Sequence, residues 1–284
     1  MDLKTADTRV VEAYSRLRSA LARHGSLVIA YSGGVDSALL AAVASKVLGE
    51  RMLAVIGSSP SLPRAEENDA LGLLRARGIP FERIVTEEIE NEAYAANNPD
   101  RCYHCKRELF ARIREIAANR GFAAVAHGAN ADDGDDYRPG AAAAQEMAVA
   151  APLAEAGIGK SMVRELARAL GLPVWDKPSS PCLASRIPYY EPVTKEKLLQ
   201  IEKAESALKA RGFRVCRVRH RGETGSIEIP LEDHARIKDN AVWPVVVEEM
   251  KAAGFAAVVL EPGGFRSGRL NDTLEKRTGH GKGR

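Results

Sequence analysis

A six-residue loop, Ser32-Gly33-Gly34-Val35-Asp36-Ser37, lies between the apolar run Ser26 to Tyr31 and the helix-forming stretch Ala38 to Leu48. A strand that turns through two glycines directly into a helix brings backbone amides close to any anion beyond the strand, and the helix N-terminus adds partial positive charge. Ser32 and Ser37 add hydroxyl donors, so the loop reads as a phosphate cradle made by Ser32, Gly33, Gly34, Asp36 and Ser37. The plainer reading, a Gly-rich turn with Asp36 or Ser37 as helix N-cap, accounts less well for the strand-loop-helix setting. The loop lacks the Gly-Lys-Ser or Gly-Lys-Thr ending of a Walker A motif.

The same alternation continues downstream. Met52 to Ile56, Glu82 to Thr86 and Ala123 to His127 read as strands, and Arg64 to Arg77, Lys106 to Arg120 and Lys160 to Leu170 as helices. Strands that alternate with helices predict an α/β fold, a parallel sheet with helices on both faces. Residues 178–192 hold four prolines, which neither helix nor strand absorbs, and the domain junction is placed there. Beyond it, Lys195 to Arg211 and Trp243 to Ala253 read as helices, Phe213 to His220 and Gly225 to Pro230 as a hairpin, and Ala256 to Glu261 as a strand. The expected division is a nucleotide domain over 1–185, a smaller α+β C-terminal domain for substrate and oligomerisation over 186–272, and a disordered basic tail over 273–284.

At 284 residues, 45% hydrophobic and 28% charged, the chain has enough material for a buried core and is neither fibrous nor wholly disordered. A net charge of +3 is too small for a nucleic-acid footprint, so an anion site must be local and nucleic acid is not the expected partner. Residues 1–24 carry charges among apolar residues at helical spacing and read as a surface helix, not a signal peptide. No apolar run approaches the ~20 residues that span a bilayer. No membrane partner is expected, the expected compartment is the cytoplasm, and the expected assembly is a homo-oligomer. Four cysteines in a chain of this length point to metal, cluster or sulfur chemistry before structural disulfides.

Beyond the cradle, three sets of residues carry possible chemistry. His127-Gly128-Ala129-Asn130-Ala131-Asp132-Asp133 follows a strand of the same sheet and should reach the carboxyl-end crevice where such sheets bind ligands. Asn130 is a candidate nucleotide contact, and Asp132 or Asp133, preferably Asp133, a candidate Mg²⁺ ligand beside a triphosphate. A solvated acidic loop with Asx turns is the alternative there, and the better reading for Asp135 and Asp136. Cys102 and Cys105 open a helix and Cys182 lies in the Pro-rich junction, while Cys216 alternates with Arg217 and Arg219 and faces the core. Cys102, Cys105 and Cys182 could hold a [4Fe-4S] cluster with one iron open; buried free thiols, or a zinc site completed by His104, are the other readings. Arg217 and Arg219 share one strand face and could clamp a phosphate, with Arg186 a further anion donor and a solvated basic strand face the alternative.

The hexapeptide Ser32 to Ser37 resembles the signature of the PP-loop ATP pyrophosphatases, adenine nucleotide alpha hydrolase-like proteins that cleave ATP to AMP and pyrophosphate. Together with Asn98 to Lys106, Gly128 to Asp133, Tyr137 to Gly140, Trp175 to Pro188 and Arg217 to His220, it resembles the LarE family of ATP-dependent sulfurtransferases over nearly the whole chain. That resemblance implies a pyridinium biscarboxylic acid mononucleotide as substrate, ATP and Mg²⁺ as cofactors, adenylylation of a substrate carboxylate, and sulfur transfer toward a nickel-pincer cofactor. It implies one of two sulfur sources. Either Cys182 gives up its own sulfur and becomes dehydroalanine, or Cys102, Cys105 and Cys182 hold a [4Fe-4S] cluster that carries the sulfide, the version that three cysteines favour. Tyr190 stands where the family pattern leads one to expect glycine after Tyr189, and the basic tail has no familial counterpart. A tRNA-thiolating PP-loop enzyme would show an extended basic surface, and a non-enzymatic adenine-nucleotide-binding module would need no reactive cysteines.

Overall fold

In the computed structural model, which describes residues 7–135, 139–266 and 270, the chain begins α1 (Thr8–Arg23), β1 (Leu27–Ala30), α2 (Val35–Leu48), β2 (Met52–Ser58), α3 (Arg64–Ala76), β3 (Phe81–Val85). It continues α4 (Glu92–Ala95), α5 (Arg101–Asn119), β4 (Ala124–His127), α6 (Pro139–Glu146), α7 (Pro152–Glu155), α8 (Lys160–Ala169), α9 (Lys195–Ala210), β5 (Arg217–Arg221) and β6 (Thr224–Glu228). It closes with α10 (His234–Ile237), α11 (Trp243–Ala252) and β7 (Ala257–Leu260). Asp136, Tyr137, Arg138 and the tail from residue 273 lie outside the described residues.

The chain divides into two compact units, one holding residues up to Glu88 and Asp100–Ser180, the other Ile89–Pro99 and everything from Pro181 onward. The division thus falls five positions before the end expected for the first domain at residue 185, and the second unit takes an early segment that composition does not mark.

In the first unit the strands pair in the order β3-β2-β1-β4, all parallel. Leu27 and Ile29 of β1 enter one buried layer with α1, α2 and α8, and Val28 and Ala30 enter the other with Phe110 and Ile113 of α5. Strand β1 is therefore apolar at every position and β2 from Met52 to Ile56, as burial on both faces requires. Helix α1 is no mere surface element, because Val10, Ala13, Leu17, Ala20 and Leu21 form a buried stripe at helical spacing.

In the second unit β5 and β6 form the expected hairpin, turning at Gly222 with φ +60°, and β7 adds to β6 in parallel. The early segment is bound into this unit by its backbone, by the Glu90–Lys195 ion pair and by the Asn97 side chain. Val193 N donates to Ala95 O (2.8 Å) and Tyr190 N to Asn97 O (3.1 Å). The fully buried Asn97 amide donates to the carbonyls of Pro188 (2.7 Å) and Glu191 (2.9 Å). Tyr190 holds φ +70°, the left-handed region that glycine enters most easily, which gives a physical basis for a glycine at this position.

Candidate active site

The carboxyl ends of β1 and β4 bring the cradle and the Gly128–Asp133 loop together within the first unit. Gly33 carries φ +74°, and a Cβ there would stand 2.5 Å from the Ala70 Cβ, so both conformation and space demand glycine. Gly34 is the N-cap of α2 and has no side chain to turn back on the helix, leaving the cap position to backbone amides. Ser37 is buried, and its hydroxyl accepts from Ser32 N (3.1 Å) while donating to Gly34 O (3.1 Å). A hydroxyl has a single proton, so in the 3.1 Å contact between the two serine oxygens Ser32 is the donor. Ser37 thus locks the loop. The expectation that it offers a free proton to an anion gives way to a positioning role, because that proton is already committed.

Gly128 seats the second loop against the first, since a Cβ on it would lie 2.8 Å from Ser37 N. Asn130 is buried and donates from its side-chain amide to Asp36 Oδ1 at 3.3 Å. Its backbone N–H donates to Asp133 Oδ2 (3.0 Å), and its side-chain oxygen accepts from Asp132 N (3.0 Å), the Asx-turn pattern weighed for this acidic loop. Asp132 in turn accepts from Lys160 N at 2.7 Å, with Gly159 packed against its carboxylate.

Lys160, the first residue of α8, was not singled out by sequence reasoning. Its ammonium pairs with Asp36 Oδ2. A cation at the first helical position runs against the helix dipole, and that mismatch is the signal by which it could have been found. Below the site, burial pushes the His127 imidazole down to about 4, with Lys106 adding to the shift and Asp133 opposing it. His127 is therefore neutral at physiological pH, with its ring edge-on to Phe110.

The cysteines divide between the units. Cys102 is exposed and Cys105 half-buried on the first turns of α5, and His104 pairs with Asp100 at 3.4 Å. Cys182 is half-buried and N-caps the 3-10 turn Leu183–Arg186. Cys216 is buried, as expected, and burial pushes its thiol up to about 12. Among the described residues no three His, Cys, Asp or Glu side chains converge as a metal site. Cys102 and Cys105 lie in the first unit and Cys182 in the second, and all three are chemically suited to an iron-sulfur centre; no step is derived through a cluster. Mg²⁺ needs less, because one or two carboxylates and substrate phosphates suffice; Asp133 offers one carboxylate there, with Oδ2 accepting from Asn130 N.

Arg217 and Arg219 project from one face of β5, as the alternation predicts, and both are already engaged. Arg219 donates to Glu228 Oε2 (3.1 Å) and Ser185 O (2.7 Å), and Arg217 donates to Cys216 O (2.8 Å) with its guanidinium over Phe265. His220 takes the opposite face, against Phe255 and Gln200. Arg186, expected as a further anion donor, is buried at 1% exposure, and Glu205 and the main chain engage its guanidinium.

A parallel α/β unit with a Ser-Gly-Gly-x-Asp-Ser cradle at the carboxyl end of its first strand defines a PP-loop protein. The family model described as NAD synthase matches residues 10–127, which carry the cradle. Across 88% of the chain, 37% of residues are identical to the pyridinium-3,5-bisthiocarboxylic acid mononucleotide synthase of Lactiplantibacillus plantarum, 90% of which is covered. An uncharacterized protein of Synechocystis is 43% identical over 88% of this chain and 93% of its own length, and one of Methanocaldococcus jannaschii is 27% identical over 86% and 92%. The chain belongs to the LarE family. No helix among the described residues is long and apolar enough to cross a membrane.

Proposed function

We propose that this protein is an ATP-dependent sulfurtransferase that converts the carboxylates of a pyridinium-3,5-biscarboxylic acid mononucleotide to thiocarboxylates. The observation that carries the reading is the 37% identity to a synthase of that product class over 88% of the chain, an extent greater than either unit alone.

In the reaction a carboxylate oxygen of the substrate attacks the α-phosphorus of ATP and pyrophosphate departs, leaving an acyl adenylate. A sulfur nucleophile then attacks the acyl carbon, and AMP leaves with the original carboxylate oxygen. The backbone of Gly33 and Gly34 holds the phosphates, with Ser32, Ser37 and Asn130 fixing the loop and Asp36. Lys160 supplies positive charge where pyrophosphate develops, and Asp133 would hold Mg²⁺, which neutralises phosphate charge when bound. Arg217 and Arg219 bind the phosphate of the mononucleotide, and Cys182 bears the sulfur. If Cys182 gives up its own sulfur, its thiolate forms a thioester with the substrate. Loss of the Cα proton and cleavage of the Cβ–Sγ bond then release thiocarboxylate and leave dehydroalanine. The [4Fe-4S] alternative would use Cys102, Cys105 and Cys182 together. The proposed assembly is a homo-oligomer in the cytoplasm.

The test incubates purified protein with ATP, Mg²⁺ and the biscarboxylic mononucleotide and follows pyrophosphate release and substrate mass. A mass gain of one sulfur-for-oxygen exchange with stoichiometric pyrophosphate is expected. Pyrophosphate release that is independent of the mononucleotide, or sulfur transfer without ATP, would refute the reading.

A further inference from the structure

Within the second unit a buried ion pair ties the Cys182 segment to the strand that carries the β5 arginines. Arg186 and Glu205 are 1% and 2% exposed. They pair through two parallel contacts, Nε to Oε1 at 2.8 Å and Nη2 to Oε2 at 3.0 Å. The remaining nitrogen, Nη1, donates to the carbonyls of Pro181 (2.6 Å) and Cys182 (3.0 Å) and to Ser185 Oγ (2.9 Å). Glu205 Oε1 also accepts from the backbone N–H of Val218 at 3.0 Å, the β5 residue between Arg217 and Arg219. From the other side, Arg219 Nη1 donates to Ser185 O at 2.7 Å.

We infer that Arg186 is a positioning residue, clamped by Glu205, that fixes the backbone of Cys182 in register with β5. A guanidinium whose nitrogens face a carboxylate, two carbonyls and a hydroxyl has no face left for a phosphate, which removes the anion-donor role. Burying a charged pair gains little stability over an apolar pair of similar volume, so what this pair supplies is registry. One planar group reaching the main chain on both sides of the Cys182 Cα sets where that thiol points, and lysine, with a single nitrogen, cannot repeat the fork. The inference rests on the reading of Cys182 as the sulfur-bearing residue.

The experiment compares the full-length protein with Arg186→Lys and with the double variant Arg186→Met/Glu205→Leu, which removes both charges together. Iodoacetamide labelling is followed by peptide mass spectrometry in the absence of any substrate. Exposed Cys102 calibrates reagent, and buried Cys216 reports loss of fold. At least a threefold change in the Cys182 labelling rate is expected in both variants, with Cys102 unchanged and Cys216 protected. In single-turnover sulfur transfer, the rate constant at saturation is expected to fall at least tenfold while the apparent KM for the mononucleotide stays within twofold. Unchanged Cys182 labelling in both variants, a loss confined to KM, or Cys216 becoming reactive in both would each overturn the positioning role. Because labelling needs no turnover, a failure of the sulfur-transfer reading leaves this result standing, and the reverse also holds.

Discussion

The ammonium of Lys160 pairs with the carboxylate of Asp36, 124 positions earlier in the chain, at the mouth of the phosphate cradle. Asp36 also accepts from Asn130, so three segments of chain meet on one carboxylate. Charge that develops on departing pyrophosphate would meet this ammonium. Lys160→Met is expected to lower kcat for substrate-dependent pyrophosphate release by ~10²-fold, the scale of losing one preorganised charge-stabilising group, with a smaller effect on ATP affinity. Stopped-flow detection of pyrophosphate beside equilibrium ATP binding measures both, and an unaltered kcat sinks the assignment.

Gly128→Ala sets a methyl group 2.8 Å from the backbone nitrogen of Ser37, an atom that cannot swing aside. The two loops must part, and ~1–3 kcal/mol of stability is expected to go with them. ATP affinity should fall more than the melting temperature implies. A variant that binds ATP normally would show that this close approach is not what shapes the cradle.

His127 adds a pH-dependent term to stability. Its folded pKa lies at about 4, below the 6.5 of an unfolded histidine. The unfolded chain therefore binds more protons between those values, and stability is lost as pH falls from 6.5 toward 4. Between pH 7 and pH 5 the wild type should lose ~1–2 kcal/mol more than His127→Gln, read from urea midpoints at each pH. Parallel pH profiles for the two proteins would remove His127 from the account.

Tyr190→Gly relieves a non-glycine residue at φ +70° on a half-exposed ring. The gain expected at 25 °C is ~1 kcal/mol, set against the greater freedom of glycine in the unfolded chain. Thermal unfolding of the two proteins is the measurement, and a lower melting temperature for the glycine variant would mean that the tyrosine ring contributes more than its backbone strain removes.

The sulfur source separates by mass. After anaerobic reconstitution with iron and sulfide, a cluster on Cys102, Cys105 and Cys182 predicts an unchanged chain mass, repeated turnover with added sulfide, and loss of activity on changing any one of the three to alanine. A chain lighter by the elements of hydrogen sulfide, with Cys102→Ala fully active, would instead make Cys182 the sole donor.

Fold and site were legible to different depths. The first unit could be read because its central strands, buried on both faces, spell themselves as unbroken apolar runs such as Leu27 to Ala30. The loop from Ser32 to Ser37 could be placed at the junction of β1 with α2 because its residues are contiguous. Lys160 was not, since its partnership with Asp36 is made in space and only the dipole mismatch marks it. Arg186 was misread as an anion donor because a lone arginine beside a cysteine looks the same in sequence whether it faces a ligand or a buried Glu205. The segment Ile89–Pro99 carries no compositional mark, since main-chain pairing, the Asn97 amide and the Glu90–Lys195 ion pair fasten it to the second unit.

That segment also orders events during synthesis. Ile89–Pro99 leaves the ribosome well before the residues it joins, so the Asn97 side-chain amide meets the carbonyls of Pro188 and Glu191 only after those residues have been made. The first unit can gather its sheet only around this excursion, and the second cannot close until ~90 further residues have been translated, roughly 5–20 s at ordinary elongation rates. Neither unit corresponds to one uninterrupted stretch of coding sequence. A chain stopped at Ser180 would leave the carbonyls of Ala95 and Asn97 without the main-chain donors that Val193 and Tyr190 supply.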